Sequence, residues 1–121
     1  MTYALLKCYI LADLPKEDPR LKAALTWCFT NFNLEENPGA KKSANKMIRY
    51  QGLYYYYLTL ARALSLAGVD KVQDKDWRTE LRAKLQKEQN ADGSWINKKN
   101  SRWWENNPLV VTAYALLSLS E

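Results

Sequence analysis

Carboxyl groups that could perform acid–base chemistry are few in this sequence, and they lie in separate connecting segments. The candidates are Glu35, Glu36, Asp92 and Glu105. Two carboxylates could act as general acid and base on a glycoside, but acidic loop residues are far more often solvated or cap a helix. The chain contains no histidine, which excludes Ser-His and Cys-His nucleophilic pairs. We therefore expect no catalytic residue, metal ligand or cofactor site in this chain.

Basic and aromatic residues are concentrated in two connecting segments, where they could bind an anion. The basic residues are Lys41, Lys42, Lys46 and Arg49 in the first segment, and Lys98, Lys99 and Arg102 in the second. The aromatic residues in and beside these segments are Tyr50, Tyr54, Tyr57, Trp103 and Trp104. Such a set would suit a partly apolar anion such as a prenyl diphosphate. One alternative is a solvated basic surface. The other is a surface for nucleic acid, but the modest net charge of +5 does not favour nucleic-acid binding.

The run from Tyr54 to Tyr57 has the composition of a strand, but its surroundings indicate a helix. The residues from Leu58 to Leu64 have a helical composition, and no turn precedes them. Tyr54 and Tyr57 would then share a helix face with Leu58 and Ala61. That face either packs in the core or forms the aromatic wall of a cavity.

Five helices of two kinds must position these residues. Three are apolar on most faces and are predicted to be inner helices, buried on both sides: Thr2 to Ala12, Tyr50 to Ala67, and Pro108 to Ser120. Two are amphipathic and are predicted to be outer helices: Pro19 to Asn31 and Asp76 to Gln89. The predicted fold is therefore all-α, in the order inner, outer, inner, outer, inner.

Local signals support these boundaries and place the two basic segments together. Asp18, Asp76 and Asn107 are predicted N-caps. The segment Thr2 to Leu6 is echoed by Thr112 to Leu117 with one residue inserted, which indicates a repeat. Because successive hairpins are antiparallel, both connections from an outer to an inner helix must return to the same end of the molecule. We call these two connections the rim.

A motif of three spaced residues follows the fourth predicted helix. Gln89, Gly93 and Trp95 form the pattern Gln-x-x-x-Gly-x-Trp, with Leu81 and Leu85 on the helix before it. The glutamine could bond the last helix carbonyls, and the glycine would permit a left-handed turn. The motif resembles the QW repeat of the α/α-toroid family of terpenoid cyclases and protein prenyltransferases, also called prenyltransferase and squalene oxidase repeat proteins. The segments 51–57 and 108–117 also look like bacterial members of uncharacterised function.

The resemblance implies a ring of helical hairpins in which Trp95 stacks on Gln89 and ties neighbouring outer helices together. It does not extend to the catalytic motifs. The Asp-x-Asp-Asp acid motif of squalene cyclases is absent, and its nearest approach is Asp74-Lys75-Asp76-Trp77, where Asp76 is better explained as a helix cap. The zinc site of protein prenyltransferases needs a histidine, which this chain lacks.

Length and composition suit one compact domain over residues 1–121, with a hydrophobic content of 47%. No apolar run approaches the ~20 residues that span a bilayer, and the first residues do not look like a signal peptide, so we expect a soluble chain of unassigned compartment.

Cys8 and Cys28 match no metal or redox spacing and are predicted to be reduced core thiols. The hairpins are too few to close a ring, so the chain is either a segment of a longer toroid or self-associates to cover its open helix edges.

The sequence therefore favours a non-catalytic helical scaffold or binding module that takes an apolar or isoprenoid-like ligand. Two alternatives stay open. One is a fragment of a cyclase-like or prenyl-transferring enzyme whose catalytic residues lie outside this chain. The other is a protein-interaction scaffold that uses the rim.

Overall fold

The computed structural model describes residues 1–40 and 43–121. Over these residues the chain forms five α-helices: α1 (Thr2–Leu11), α2 (Pro19–Thr30), α3 (Leu53–Leu66), α4 (Trp77–Glu88) and α5 (Pro108–Leu119). Short 3-10 helices occur at Pro38–Ala40, Lys46–Tyr50 and Arg102–Trp104. An antiparallel β-hairpin of β1 (Lys71–Val72) and β2 (Lys75–Asp76) precedes α4. The predicted all-α class is confirmed.

Side-chain caps begin three of the helices, as the sequence predicted. The Asp18 carboxylate accepts a hydrogen bond from the Arg20 amide at 2.8 Å, and Asn107 caps α5 in the same way. Asp76 accepts from the Thr79 amide at 2.9 Å. These bonds satisfy first-turn amides that have no partner within the helix. The role of Asp76 is therefore that of a cap at the start of α4.

The start of α3 differs from the prediction. We expected the helix to begin at Tyr50, but it begins at Leu53, because Lys46–Tyr50 forms a 3-10 helix and Gly52 follows with a φ of 61°. Glycine adopts this left-handed conformation without the steric cost that a side chain would bring. The whole tyrosine run lies in the first turns of α3, as predicted.

Helix α3 lies between α1 and α5 and packs against both, while α2 packs on α1 and α4 packs on α5. One apolar cluster joins them, with Leu60 and Leu64 of α3 fully buried. The expectation that all three predicted inner helices are buried on both sides is wrong for α1 and α5. In α5, Leu109 and Leu116 are 81% and 55% exposed. These two helices have open apolar edges because only α3 has an apolar helix on each side.

Tyrosine hydroxyls tie α1 and α3 to the chain around the end of α2. Tyr3 donates to the Cys28 carbonyl at 3.1 Å, and Tyr56 donates to the Asn33 carbonyl at 2.7 Å. Cys28 is a buried free thiol, as predicted. Cys8 is also free but exposed, which corrects its prediction as a core residue. It lies on the side of α1 that faces solvent.

Candidate functional site

The structure brings the two basic segments of the rim together at the N-terminal end of α3. The Asn100 side-chain amide donates to the Met47 carbonyl at 3.0 Å. The Lys99 ammonium lies 4.5 Å from the centre of the Tyr50 ring, within cation–π range. Lys46, Lys98 and Arg102 are exposed there, and Arg49 forms an ion pair with Glu36 at 3.4 Å. Lys41 and Lys42, which we also assigned to the rim, lie outside the described residues.

A buried carboxylate holds the two segments in place. Glu105 is 0% exposed, and it accepts hydrogen bonds from the backbone amides of Leu53, Tyr54 and Tyr55 at 2.8, 2.8 and 3.0 Å. The Asn97 amide donates to the same carboxylate at 2.7 Å and to the Tyr50 carbonyl at 2.7 Å. Glu105 therefore serves as the anion at the start of α3, where Gly52 offers no capping side chain.

The chemistry of Glu105 is that of a structural anion. Burial raises the pKa of its carboxyl above the usual value, and the Asn97 amide and the three backbone amides oppose that rise. Both carboxylate oxygens are engaged by N–H donors. The group also occupies the positive end of α3, where an anionic ligand would otherwise be favoured. A diphosphate would meet a negative charge at this position.

Between Asn97 and Glu105 lies a loop, residues 98–104, that we call the tryptophan loop. Trp103 and Trp104 both have a φ of 63° and are 63% and 74% exposed. Bulky residues rarely adopt this left-handed conformation, and such strain is concentrated at functional sites. The Arg102 guanidinium lies 5.0 Å from the Trp103 ring centre. The loop therefore presents two neighbouring indoles to solvent in a costly conformation.

An aromatic cavity of about 480 Å³ opens beside the tryptophan loop. We name it by the side chains that dominate its lining: Tyr55, Tyr56, Trp103, Trp104 and Tyr114. The other lining residues are Met1, Ala4, Asn37, Gln51, Gly52 and Thr59. None of the described residues that line it is a lysine or an arginine. Its size and lining suit a small apolar ligand.

Two lysines of the rim, Lys98 and Lys99, line a second, smaller cavity of about 170 Å³. Tyr54, Tyr57, Lys98 and Lys99 line it together with Lys84 and Glu88. Tyr54 and Tyr57 are buried side chains of α3 at this cavity. Lys84 is already paired with Glu35 at 2.7 Å and with Glu88 at 3.4 Å. Trp103 and Trp104 thus line the aromatic cavity, and four other members of the predicted set line the smaller one. The remaining described members line neither cavity: Lys46, Arg49, Tyr50 and Arg102.

The residues of the Gln-x-x-x-Gly-x-Trp motif form the turn after α4. Gly93 has a φ of 84°, as a left-handed turn requires, and the Gln89 side-chain amide donates to its carbonyl at 2.9 Å. Trp95 is buried and donates from its indole to the Leu85 carbonyl at 2.7 Å. The bond to an unpaired carbonyl at the end of α4 therefore comes from Trp95, whereas we had expected it from Gln89. The motif closes the hairpin between α4 and α5.

Sequence reasoning did not single out Asn97, and it grouped Glu105 with the other acidic loop residues. One signal was present: Gly52 supplies no acceptor for the first amides of α3, so a partner had to come from elsewhere. Nothing in the sequence distinguishes Glu105 from Glu35 or Asp92 for that role.

Comparison with protein-family models, with curated proteins and with solved structures finds no match to this chain. Within the described residues, no group of three or more His, Cys, Asp and Glu side chains could hold a metal ion. No helix in that part of the chain is long and apolar enough to cross a membrane.

Proposed function

We propose that this chain is a non-catalytic helical binding module, of the α/α-toroid kind that its sequence resembles, and that the aromatic cavity binds an apolar, isoprenoid-like ligand. The observation that carries the proposal is the lining of that cavity, in which tyrosines of α3 and α5 meet the two indoles of the tryptophan loop. Apolar lining with a few polar groups is the usual composition of a small-molecule site.

The charges around the cavity favour an uncharged ligand over a diphosphate. Lys98 and Lys99 line the smaller cavity, and Lys46 and Arg102 are exposed. The N-terminus of α3 already holds Glu105. A prenyl alcohol would use the aromatic lining without placing a second anion near that carboxylate. This order of preference revises the prenyl diphosphate that we considered from the sequence.

A non-catalytic role is supported by the position of the carboxyl groups. Glu105 has both oxygens occupied, and among the described residues that line the aromatic cavity none is acidic. A cyclase-like enzyme would need a proton donor in that cavity. Under the enzyme alternative, the donor would have to come from outside this chain.

Calorimetric titration with geraniol and with geranyl diphosphate tests the proposal, because the two probes differ only in the head group. Geraniol should bind saturably and at least as tightly as the diphosphate. The variant Ala4→Phe, which fills the cavity, should lose binding, whereas Ala23→Phe on the exposed face of α2 should retain it. Absence of saturable binding, or equal binding in both variants, would contradict the proposal.

The open edges of α1 and α5 support a second element of the proposal, association through those helices. Leu5 and Leu11 on α1 and Leu116 and Leu117 on α5 are exposed apolar side chains, and contiguous exposed apolar surface marks interaction sites. On their other sides, α1 and α5 both pack against α3, which is also an apolar helix. A helix of a second copy could cover the open edges in the same way. Light scattering after gel filtration should therefore give a mass above that of one chain, and a stable monomer would contradict self-association.

A further inference from the structure

Two segments of the rim, 43–52 and 96–107, combine exposed apolar side chains with exposed cations. Met47, Trp103, Trp104 and Leu109 are all at least half exposed. They belong to the segments 43–52 and 96–107 and to the first turn of α5, which meet at the N-terminal end of α3. Scattered exposed apolar residues are common, but a cluster at one end of a molecule marks an interaction surface.

The charged side chains of these two segments are cations, with one exception. Lys46, Lys98, Lys99 and Arg102 are exposed. The sole acidic residue in the segments is Glu105, and it is buried beneath the tryptophan loop with both oxygens engaged. The surface that these two segments present therefore carries cations and indole rings, while the neighbouring Glu36 and Glu35 are paired with Arg49 and Lys84.

We propose that this rim is a docking surface for an anionic lipid membrane. Tryptophan rings favour the boundary between lipid headgroups and acyl chains, because the ring is apolar and its N–H can stay hydrated. Lysine and arginine near the bilayer surface are attracted by anionic lipids. The rim offers both features together, and no membrane-spanning helix is needed for attachment of this kind. A cation-rich and indole-rich surface fits a lipid bilayer better than it fits an apolar protein groove.

Membrane docking would explain the strained backbone of the tryptophan loop. A left-handed backbone at Trp103 and Trp104 turns two consecutive indoles outward while Asn97 and Glu105 fix the base of the loop. A second bond, from the Asn97 backbone amide to the Glu105 carbonyl at 2.7 Å, closes that base. The indoles are therefore displayed from a fixed support, which lowers the entropy lost when they insert. The two indoles also line the aromatic cavity, whereas Lys46, Lys98, Lys99 and Arg102 do not.

Flotation with lipid vesicles tests the docking surface, since aggregated protein sinks and bound protein rises. We expect the full chain to float with vesicles of phosphatidylcholine and phosphatidylglycerol, to float poorly with phosphatidylcholine alone, and to lose binding as salt increases. Equal flotation on both vesicles, or on neither, would overturn the proposal. If the protein floats with neither kind of vesicle, a protein partner becomes the better explanation for the exposed indoles.

Two sets of variants separate the parts of the surface. Trp103→Gly with Trp104→Gly removes both indoles while glycine accepts the left-handed backbone, and it should weaken partitioning about tenfold or more. Lys46→Gln, Lys98→Gln and Arg102→Gln together should weaken it roughly 100-fold. The matched control carries the same charge change at the opposite end, as Lys16→Gln, Lys71→Gln and Lys75→Gln. If that control loses as much binding as the rim variant, net charge alone is responsible and the proposed surface is wrong.

Discussion

Asn97 and Glu105 bond to each other twice: the Asn97 side chain donates to the Glu105 carboxylate at 2.7 Å, and the Asn97 backbone amide donates to the Glu105 carbonyl at 2.7 Å. Because the same carboxylate also accepts from the first amides of α3, one side chain connects the base of the tryptophan loop to the central helix. The shape of the rim thus depends on a buried polar contact.

Replacement of Glu105 by glutamine should lower the free energy of unfolding by about 2 to 3 kcal/mol, because an amide group would face N–H donors and leave at least one of them unpaired. Urea unfolding monitored by circular dichroism measures the change. Glu35→Gln is the control, since the exposed Glu35 pair with Lys84 should contribute less than about 1 kcal/mol. Equal losses in the two variants would contradict the role of Glu105.

Replacement of Trp95 by alanine should cost about 3 kcal/mol, since it removes a buried ring and its hydrogen bond to Leu85. The exposed Trp104 provides the comparison, because Trp104→Ala should change the free energy of unfolding by less than about 0.5 kcal/mol. Thermal unfolding of the two variants gives the measurement. A melting temperature that does not change in Trp95→Ala would exclude a structural role for this indole.

Glycine at position 103 should be better tolerated than alanine. The backbone there has a φ of 63°, which an L-residue adopts at a cost of about 1 kcal/mol or more. We therefore expect Trp103→Gly to be about 1 kcal/mol more stable than Trp103→Ala, even though both lack the indole. At the ordinary right-handed position Arg82 in α4, the same pair of variants should show the opposite order, because alanine is the better helix former there.

The two cysteines should differ in their reaction with thiol reagents. Burial raises the pKa of the Cys28 thiol to about 12, whereas Cys8 is exposed. At pH 8, Cys8 should react rapidly, and Cys28 should react at least about 100-fold more slowly until the protein unfolds. The variant Cys8→Ser isolates the core thiol. Fast labelling of that variant under native conditions would show that the α1 and α2 interface is open.

The cap of α2 predicts a dependence of stability on acid. The Arg20 side chain, followed by its backbone amide, lowers the pKa of Asp18 to about 2. Because the pKa is lower in the folded state, this contribution is complete above the unfolded value near 3.8 and is lost as the pH falls toward 2. The Asp18→Asn variant keeps a capping oxygen that does not titrate. Between pH 5 and pH 2, its urea midpoint should fall less than that of the parent. The measurement is the ratio of the midpoints at the two pH values, taken for both proteins in the same buffers.

The sequence predicts the helices well because their signals are local. Asp18, Asp76 and Asn107 each cap a helix within three residues of themselves, and the apolar patterns that follow are long. The start of α3 was missed by three residues because its anion comes from Glu105, far along the chain. The separation of Trp103 and Trp104 from Lys98 and Lys99 into different cavities was also not predictable, since it depends on the direction in which each side chain leaves the loop. The proposed ligand and membrane contact stay predictions.

The distance along the chain between the start of α3 and its anion has a consequence for the order of folding. Leu53 receives its carboxylate from a residue 52 positions later. During synthesis, α1, α2 and most of α3 leave the ribosome while the first amides of α3 have only water as a partner. We expect those amides to exchange their hydrogens freely in a nascent chain that ends before Glu105, and the N-terminal turn of α3 to become protected last, when the tryptophan loop closes over it.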